Sequence, residues 1–170
     1  MSKKDKIPLT QMDFQLGYGG IIPSTQQAFG PNNEFSGNVR KTESEATIRF
    51  KKAIGSQIEA DIGELKQFPS DNMFFVFIIQ YFVSDKDFRT RDLDNMAKTL
   101  LDMLKGKFYK DDGQVKTLLV GKKIEKRVPK NFVYFALKEM KDDRDIDALK
   151  ISGLERSVAV FNEQVANGLC

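Results

Sequence analysis

The run Met-Phe-Phe-Val-Phe-Ile-Ile-Gln-Tyr-Phe-Val at 73–83 constrains the fold more than any other stretch of the chain. Both alternating sets are apolar, Phe74, Val76 and Ile78 on one side and Phe75, Phe77 and Ile79 on the other. That is the pattern of a central strand covered on both faces, and such a strand needs neighbours. The rest of the sequence supplies them. Phe14, Leu16 and Tyr18 alternate with polar or glycine positions and predict a first strand within 13–22. Phe50, Ile54, Ile58, Ile62 and Leu65 recur at helical spacing and predict a helix over 43–65, weakened by Gly55 and Gly63. Leu93, Met96, Ala97, Leu100, Leu101 and Leu104 mark one face of another helix, which Gly106 ends. Residues 115–128 alternate loosely around Gly121, Pro129-Lys130-Asn131 reads as a turn, and 132–137 resumes as a strand, so the two are expected to form an antiparallel hairpin. Leu154, Val158, Phe161 and Val165 predict a closing helix within 145–167. Residues 1–12 are expected to fray, and 23–40 read as a polar loop. The fold class expected is mixed α/β (α+β): a central mixed sheet with flanking helices in one compact domain over 1–170. A chain of 170 residues with 41% hydrophobic content and 14 phenylalanines can bury a core of that kind.

Composition then narrows the chemistry. The chain has no histidine, which excludes Ser-His and Cys-His nucleophile pairs and histidine-bound zinc. Its one cysteine, Cys170, allows neither an internal disulfide nor a cysteine zinc site. Chemistry in such a chain rests on carboxylates, lysines or a hard metal ion. Gly17-Tyr18-Gly19-Gly20 is not a phosphate loop, because no Gly-Lys-Ser/Thr follows it. The acidic residues of 84–90, and Asp143, Asp145 and Asp147, lack the glycine and glutamate of a calcium loop and read as turns. No run reaches the roughly 20 apolar residues of a membrane span, and the first residues lack a signal-peptide core, so a cytoplasmic protein without membrane association is expected. The net charge of +3 is a weak argument for a polyanionic partner. Its distribution is a stronger one: residues 105–130 hold nine basic and three acidic side chains. That cluster suits either a phosphate-tracking surface or the solvated edges of strands.

Acid stands at both ends of the helix that begins near Leu93. Asp92 and Asp94 precede or open it, and Asp111 and Asp112 follow it. Aspartate is a preferred N-cap, and Asp111-Asp112-Gly113 is a good turn, so caps and turns alone would account for all four. Yet a cap needs one aspartate, and here two sit where the buried strand gives way to the helix. If Asp112 begins a strand beside the end of the 73–83 strand, it approaches Asp92 and Asp94. Three carboxylates so placed would repel one another unless a cation neutralised them. Mg²⁺ takes oxygen ligands and commonly uses one or two carboxylates plus a substrate phosphate, an arrangement suited to phosphodiester hydrolysis without histidine. Lys98, about 40° from Asp94 on the helical wheel, could stabilise phosphate charge or merely pair with Asp94.

The combination Arg91-Asp92-Leu93-Asp94-Asn95, Lys98, then Asp111-Asp112 followed by Gln114-Val115 resembles the signature of the RusA family of Holliday junction resolvases. The resemblance implies a homodimeric, Mg²⁺-dependent endodeoxyribonuclease, phage- or prophage-borne, that acts in DNA recombination and repair and cuts four-way junctions by symmetric nicks, with Mn²⁺ as a substitute ion. It implies that Asp92, Asp94 and Asp112 are metal-binding catalytic carboxylates, with Asp111 beside them, Lys98 the catalytic lysine and Arg91 a DNA contact. Lys105, Lys107, Lys110, Lys116, Lys122, Lys123, Lys126, Arg127 and Lys130 are candidate contacts to the DNA backbone. The chain departs from compact family members in its long polar N-terminal region and its added C-terminal segment. Residues 23–37 carry no basic side chain, and the segment from Lys98 to the acidic pair is about one residue short. Two alternatives stay open: a Mg²⁺ nuclease on other branched DNA such as flaps, and a non-catalytic junction-binding protein whose acids are caps and turns. A polar interaction domain without a nucleic-acid role is the least favoured.

Overall fold

A computed structural model describes residues 12–23, 44–63, 65, 67–141 and 166. The frayed N-terminus, the polar loop and the closing helix expected from the sequence lie outside these residues, apart from single positions at their edges. In chain order the elements are β1 (Phe14–Gly19), α1 (Glu45–Ile62), β2 (Met73–Phe82), α2 (Asp85–Arg89), α3 (Leu93–Leu104), a 3₁₀ turn (Asp112–Gln114), β3 (Val115–Ile124) and β4 (Phe132–Met140). The strands form one mixed sheet in the order β1-β4-β2-β3. The fold is mixed α+β, as the sequence predicts. No helix among the described residues is long and apolar enough to cross a membrane.

Helix α1 starts where the Ser44 hydroxyl accepts a hydrogen bond from the Thr47 amide at 3.2 Å, and buries Thr47, Phe50, Ile54 and Ile58 along one stripe. Helix α3 buries Met96, Ala97, Thr99, Leu100, Met103 and Leu104. Both stripes join one core with Phe74, Val76, Ile78 and Phe82 of β2. On the opposite face of β2, Phe75 is buried while Phe77, Ile79 and Tyr81 are half-buried among the described residues. The expectation of a strand covered on both faces therefore holds fully for the helical side only. Inside the core, the Gln80 carboxamide accepts from the Ile22 amide at 3.0 Å and donates to the Gly20 and Phe132 carbonyls at 2.9 and 3.0 Å, pinning the chain that leaves β1.

Two local expectations are corrected. Strands β3 and β4 do not pair with each other: β4 runs antiparallel to β1 and β2, whereas β3 runs parallel to β2 from its other edge. Alternation revealed two strands, but it carries no information about which neighbour each takes. The apolar β2 occupies the central place, and the link 125–131 crosses its end, where the Glu125 amide donates to the Phe82 carbonyl (2.9 Å) and the Val83 amide to the Asn131 side chain (2.9 Å). Residues 85–89, read as a turn, form a single helical turn because Ser84 caps it, its hydroxyl accepting from the Asp87 amide at 3.2 Å.

Candidate active site

The parallel β2-α3-β3 crossover decides where the acidic residues lie. Asp92 occupies the N-cap position of α3 with extended backbone, φ −89° and ψ 131°, yet its side chain makes no capping hydrogen bond. It differs in this from Ser44, Ser84 and Asp111, which all cap the helices they precede. Asp94 stands in the first turn, and Lys98 one turn further; all three side chains are exposed. Among the described residues none of the three takes part in an ion pair, so the Asp94–Lys98 pairing that would explain them structurally is not made.

The second acidic pair sits at the far end of the same helix. Lys105, the C-cap of α3, places its ammonium 3.4 Å from Asp111 Oδ2 and 3.3 Å from Asp112 Oδ2. Hydrogen bonding to Asp112 and then Asp111 raises the Lys105 pKa. The Gly113 amide, and after it Lys105, holds the Asp111 carboxyl below its ordinary value. Helix α3, with Asp94 in its first turn, stands between the two pairs, and from Asp94 to its end at Leu104 it rises roughly 15 Å. The strands agree: Val115 lies beside Phe74 at the start of β2, while Lys122 lies beside Gln80 near its end. Convergence of Asp92, Asp94 and Asp112 within one chain, expected from the sequence, is therefore corrected. Among the described residues no three acidic side chains gather as a metal cluster. Convergence requires β3 to begin beside the end of β2, whereas a parallel strand begins beside its neighbour's beginning, here Val115 beside Phe74.

The acidic turn is held by a residue to which the sequence reading gave no role. Gln114 Oε1 accepts from the amides of Lys110 and Asp111 at 2.8 and 3.0 Å, and its Nε2 donates to the carbonyls of Ser70 and Asn72, both at 2.8 Å. Asp111 answers by accepting from the Gly113 amide at 2.9 Å, completing a capping box. The spacing Asp-x-x-Gln is the signal that could have identified it. Below lies a buried carboxylate, Glu139, which accepts from the Ser70 hydroxyl and from Asn72 Nδ2, the latter at 2.9 Å. Tyr109 fills the core beside the turn, its hydroxyl donating to the Leu101 carbonyl at 2.9 Å, and burial pushes its pKa up.

The candidate DNA contacts divide by their partners. Lys107 pairs with Glu59, and Lys110 with Asp71 at 2.7 Å. Lys123 and Arg127 both pair with Glu125, whose carboxyl Arg127 chiefly holds down at about 2. Lys116, Lys126 and Lys130 are exposed, and Arg91 is half-buried. Lys123, Lys126, Arg127 and Lys130 belong to the end of β3 and the link after it, which is the Asp92 end of the molecule. Lys122 turns inward, donating to the carbonyls of Phe88 and Arg91 at 2.8 Å each.

As a donor set, exposed carboxylates without histidine or cysteine fit a hard divalent ion, and two such oxygens suffice where a substrate phosphate and water complete the shell. No curated protein matches the chain. The family description "Endodeoxyribonuclease RusA" matches residues 20–134, well over half of the sequence and inclusive of Asp92, Asp94, Asp111 and Asp112. That family comprises Holliday junction resolvases that hydrolyse phosphodiester bonds, and its nucleases are generally dependent on a divalent metal. The carboxylates beside a basic strand end, and the match that spans them, lead to one conclusion: the chain belongs to the RusA endodeoxyribonuclease family.

Proposed function

We propose that the protein resolves Holliday junctions as a homodimer, by paired symmetric nicks that depend on Mg²⁺, and that each catalytic centre is shared between two chains. The observation that carries this reading is the exposed group at the start of α3. Asp92 forgoes capping, and neither it nor Asp94 is neutralised by Lys98 one turn away. Carboxylates that, among the described residues, neither cap the helix nor pair with a cation, beside a basic surface, fit a metal-dependent phosphodiesterase.

Within this reading Asp92 and Asp94 of one chain, with Asp112 and its neighbour Asp111 of the other, hold the ion. An ion held there would lower the pKa of a bound water and stabilise charge on the phosphate. Lys98 adds positive charge to the phosphate oxygens as they become more negative. Arg91, Lys123, Lys126, Arg127 and Lys130 bind the backbone near the Asp92 end, while Lys105, Lys107, Lys110 and Lys116 serve the Asp112 end. The geometry favours two chains because α3 keeps the pairs apart in one. Strand β3 is at the sheet edge, with Leu118 and Leu119 41% and 40% exposed. A second copy running antiparallel along that edge sets the acidic turn of each chain by the α3 start of the other.

Asp94→Asn tests the chemistry. It should abolish Mg²⁺-dependent nicking of a synthetic four-way junction, a loss of about a hundredfold or more, while junction binding in a gel shift persists. Cleavage at the wild-type rate would rule out the assignment.

A further inference from the structure

Lys122 belongs to the basic cluster that the sequence offers to DNA, but its environment is that of a strut. It lies on β3 opposite Gln80 of β2. Its ammonium donates to the Phe88 and Arg91 carbonyls at 2.8 Å and sits 4.6 Å from the centre of the Phe88 ring. Phe88 is itself fixed edge-on against Phe82 of the core, with ring centroids 6.1 Å apart. Two of the three ammonium donors are thus spent on the segment between α2 and α3. The Arg91 carbonyl and the Asp92 amide belong to one rigid peptide plane, so a bond to that oxygen fixes the direction in which the chain enters Asp92. The Asp92 carbonyl accepts from the Met96 amide at 3.2 Å but its side chain makes no capping bond, so the Lys122 bond supplies a constraint that a capping side chain would otherwise give.

We infer that Lys122 is a positioning residue, which sets the Arg91–Asp92 peptide from the edge strand and so aims the carboxylates at the start of α3, and that it is not a contact to DNA phosphate. The inference rests on the reading of Asp92 and Asp94 as catalytic carboxylates. It also assigns β3 a mechanical role, since Gln114, immediately before its first residue, fixes the Asp112 turn and Lys122 near its end fixes the Asp92 loop. One strand then sets the spacing of both half-sites.

Two measurements test it on the full-length protein. Lysine-selective reductive methylation should leave Lys122 unmodified under conditions that modify Lys126, and adding a four-way junction should shield Lys126 without altering Lys122. A Lys122 that reacts like Lys126 and becomes shielded by the junction overturns the inference, and this readout needs no variant to fold. In Lys122→Met, junction affinity without metal and its salt dependence should match wild type. Turnover at saturating junction should fall roughly ten- to a hundredfold, and Mn²⁺ binding followed by electron paramagnetic resonance without DNA should weaken. Normal turnover with a salt slope smaller by about one would assign Lys122 to the DNA instead. Asp92→Asn in the same assays separates the two ideas. If it still nicks, the catalytic reading fails; if it is inactive and Lys122→Met behaves as wild type, only the positioning role fails.

Discussion

Among the described residues three side chains stand at N-cap positions of α-helices, and what they bind differs. Ser44 and Ser84 accept hydrogen bonds from amides of the turns they open, whereas Asp92 does not. Removing a cap that works costs about 1 kcal/mol, while an exposed aspartate near a helix start contributes only a few tenths to about 1 through the helix dipole. Ser44→Ala should accordingly lower the free energy of urea unfolding by about 1 kcal/mol, and Asp92→Ala, measured in salt that screens the helix dipole, by only about 0.3 kcal/mol. Equal losses would return Asp92 to an ordinary capping role. The types and order of the acidic residues were legible in the sequence, because Asp-x-Asp and Asp-Asp at that spacing need only be read off. The partners of Lys122 and Gln114 were not, since each binds backbone oxygens that the fold alone brings near. A lysine in a basic cluster looks the same in sequence whether its ammonium faces water or a pair of carbonyls.

Helix α3 and strand β2 were legible as elements for different reasons. The apolar positions of α3 form one face through Leu93, Met96, Leu100 and Leu104, and β2 is apolar on every consecutive position up to Gln80. Direction was not legible. Only the pairing of Phe74 with Val115, and the parallel sense that follows, places the acidic turn at the start of β2 and away from Asp92. That end of the sheet is joined by Glu139 of β4, which accepts from Ser70 and Asn72 across the start of β2 and whose amide donates to Asp13 at 2.7 Å. Burial pushes the Glu139 pKa up, but the donors Ser70 and Asn72, with Lys141, more than reverse this, so the folded value is lowered. A depressed carboxyl stabilises the fold above its unfolded pKa, about 4.3, and this contribution is lost as pH falls through the folded value. Glu139→Gln should lower stability at neutral pH by about 1–3 kcal/mol. The difference from wild type should shrink as unfolding is measured below about pH 4, and a difference independent of pH would contradict the role given to the charge.

Across the molecule the two acidic pairs stand apart. A helix of 12 residues holds Asp92 and Asp94 away from Asp111 and Asp112, and an edge strand with exposed leucines runs between the same two ends. The proposed two-fold dimer along that edge would resolve the separation and would also meet the symmetry of a substrate in which two strands are cut. Mixing two inactive variants measures this directly. Asp92→Asn and Asp112→Asn are each expected to be inactive alone. In a mixed dimer whose sites are shared, one centre takes Asp92 from one chain and Asp112 from the other and is whole. After subunit exchange the mixture should therefore recover nicking at roughly a quarter of the wild-type level, as single nicks rather than paired ones. No recovery in mixtures shown to contain mixed dimers would contradict a centre built from two chains.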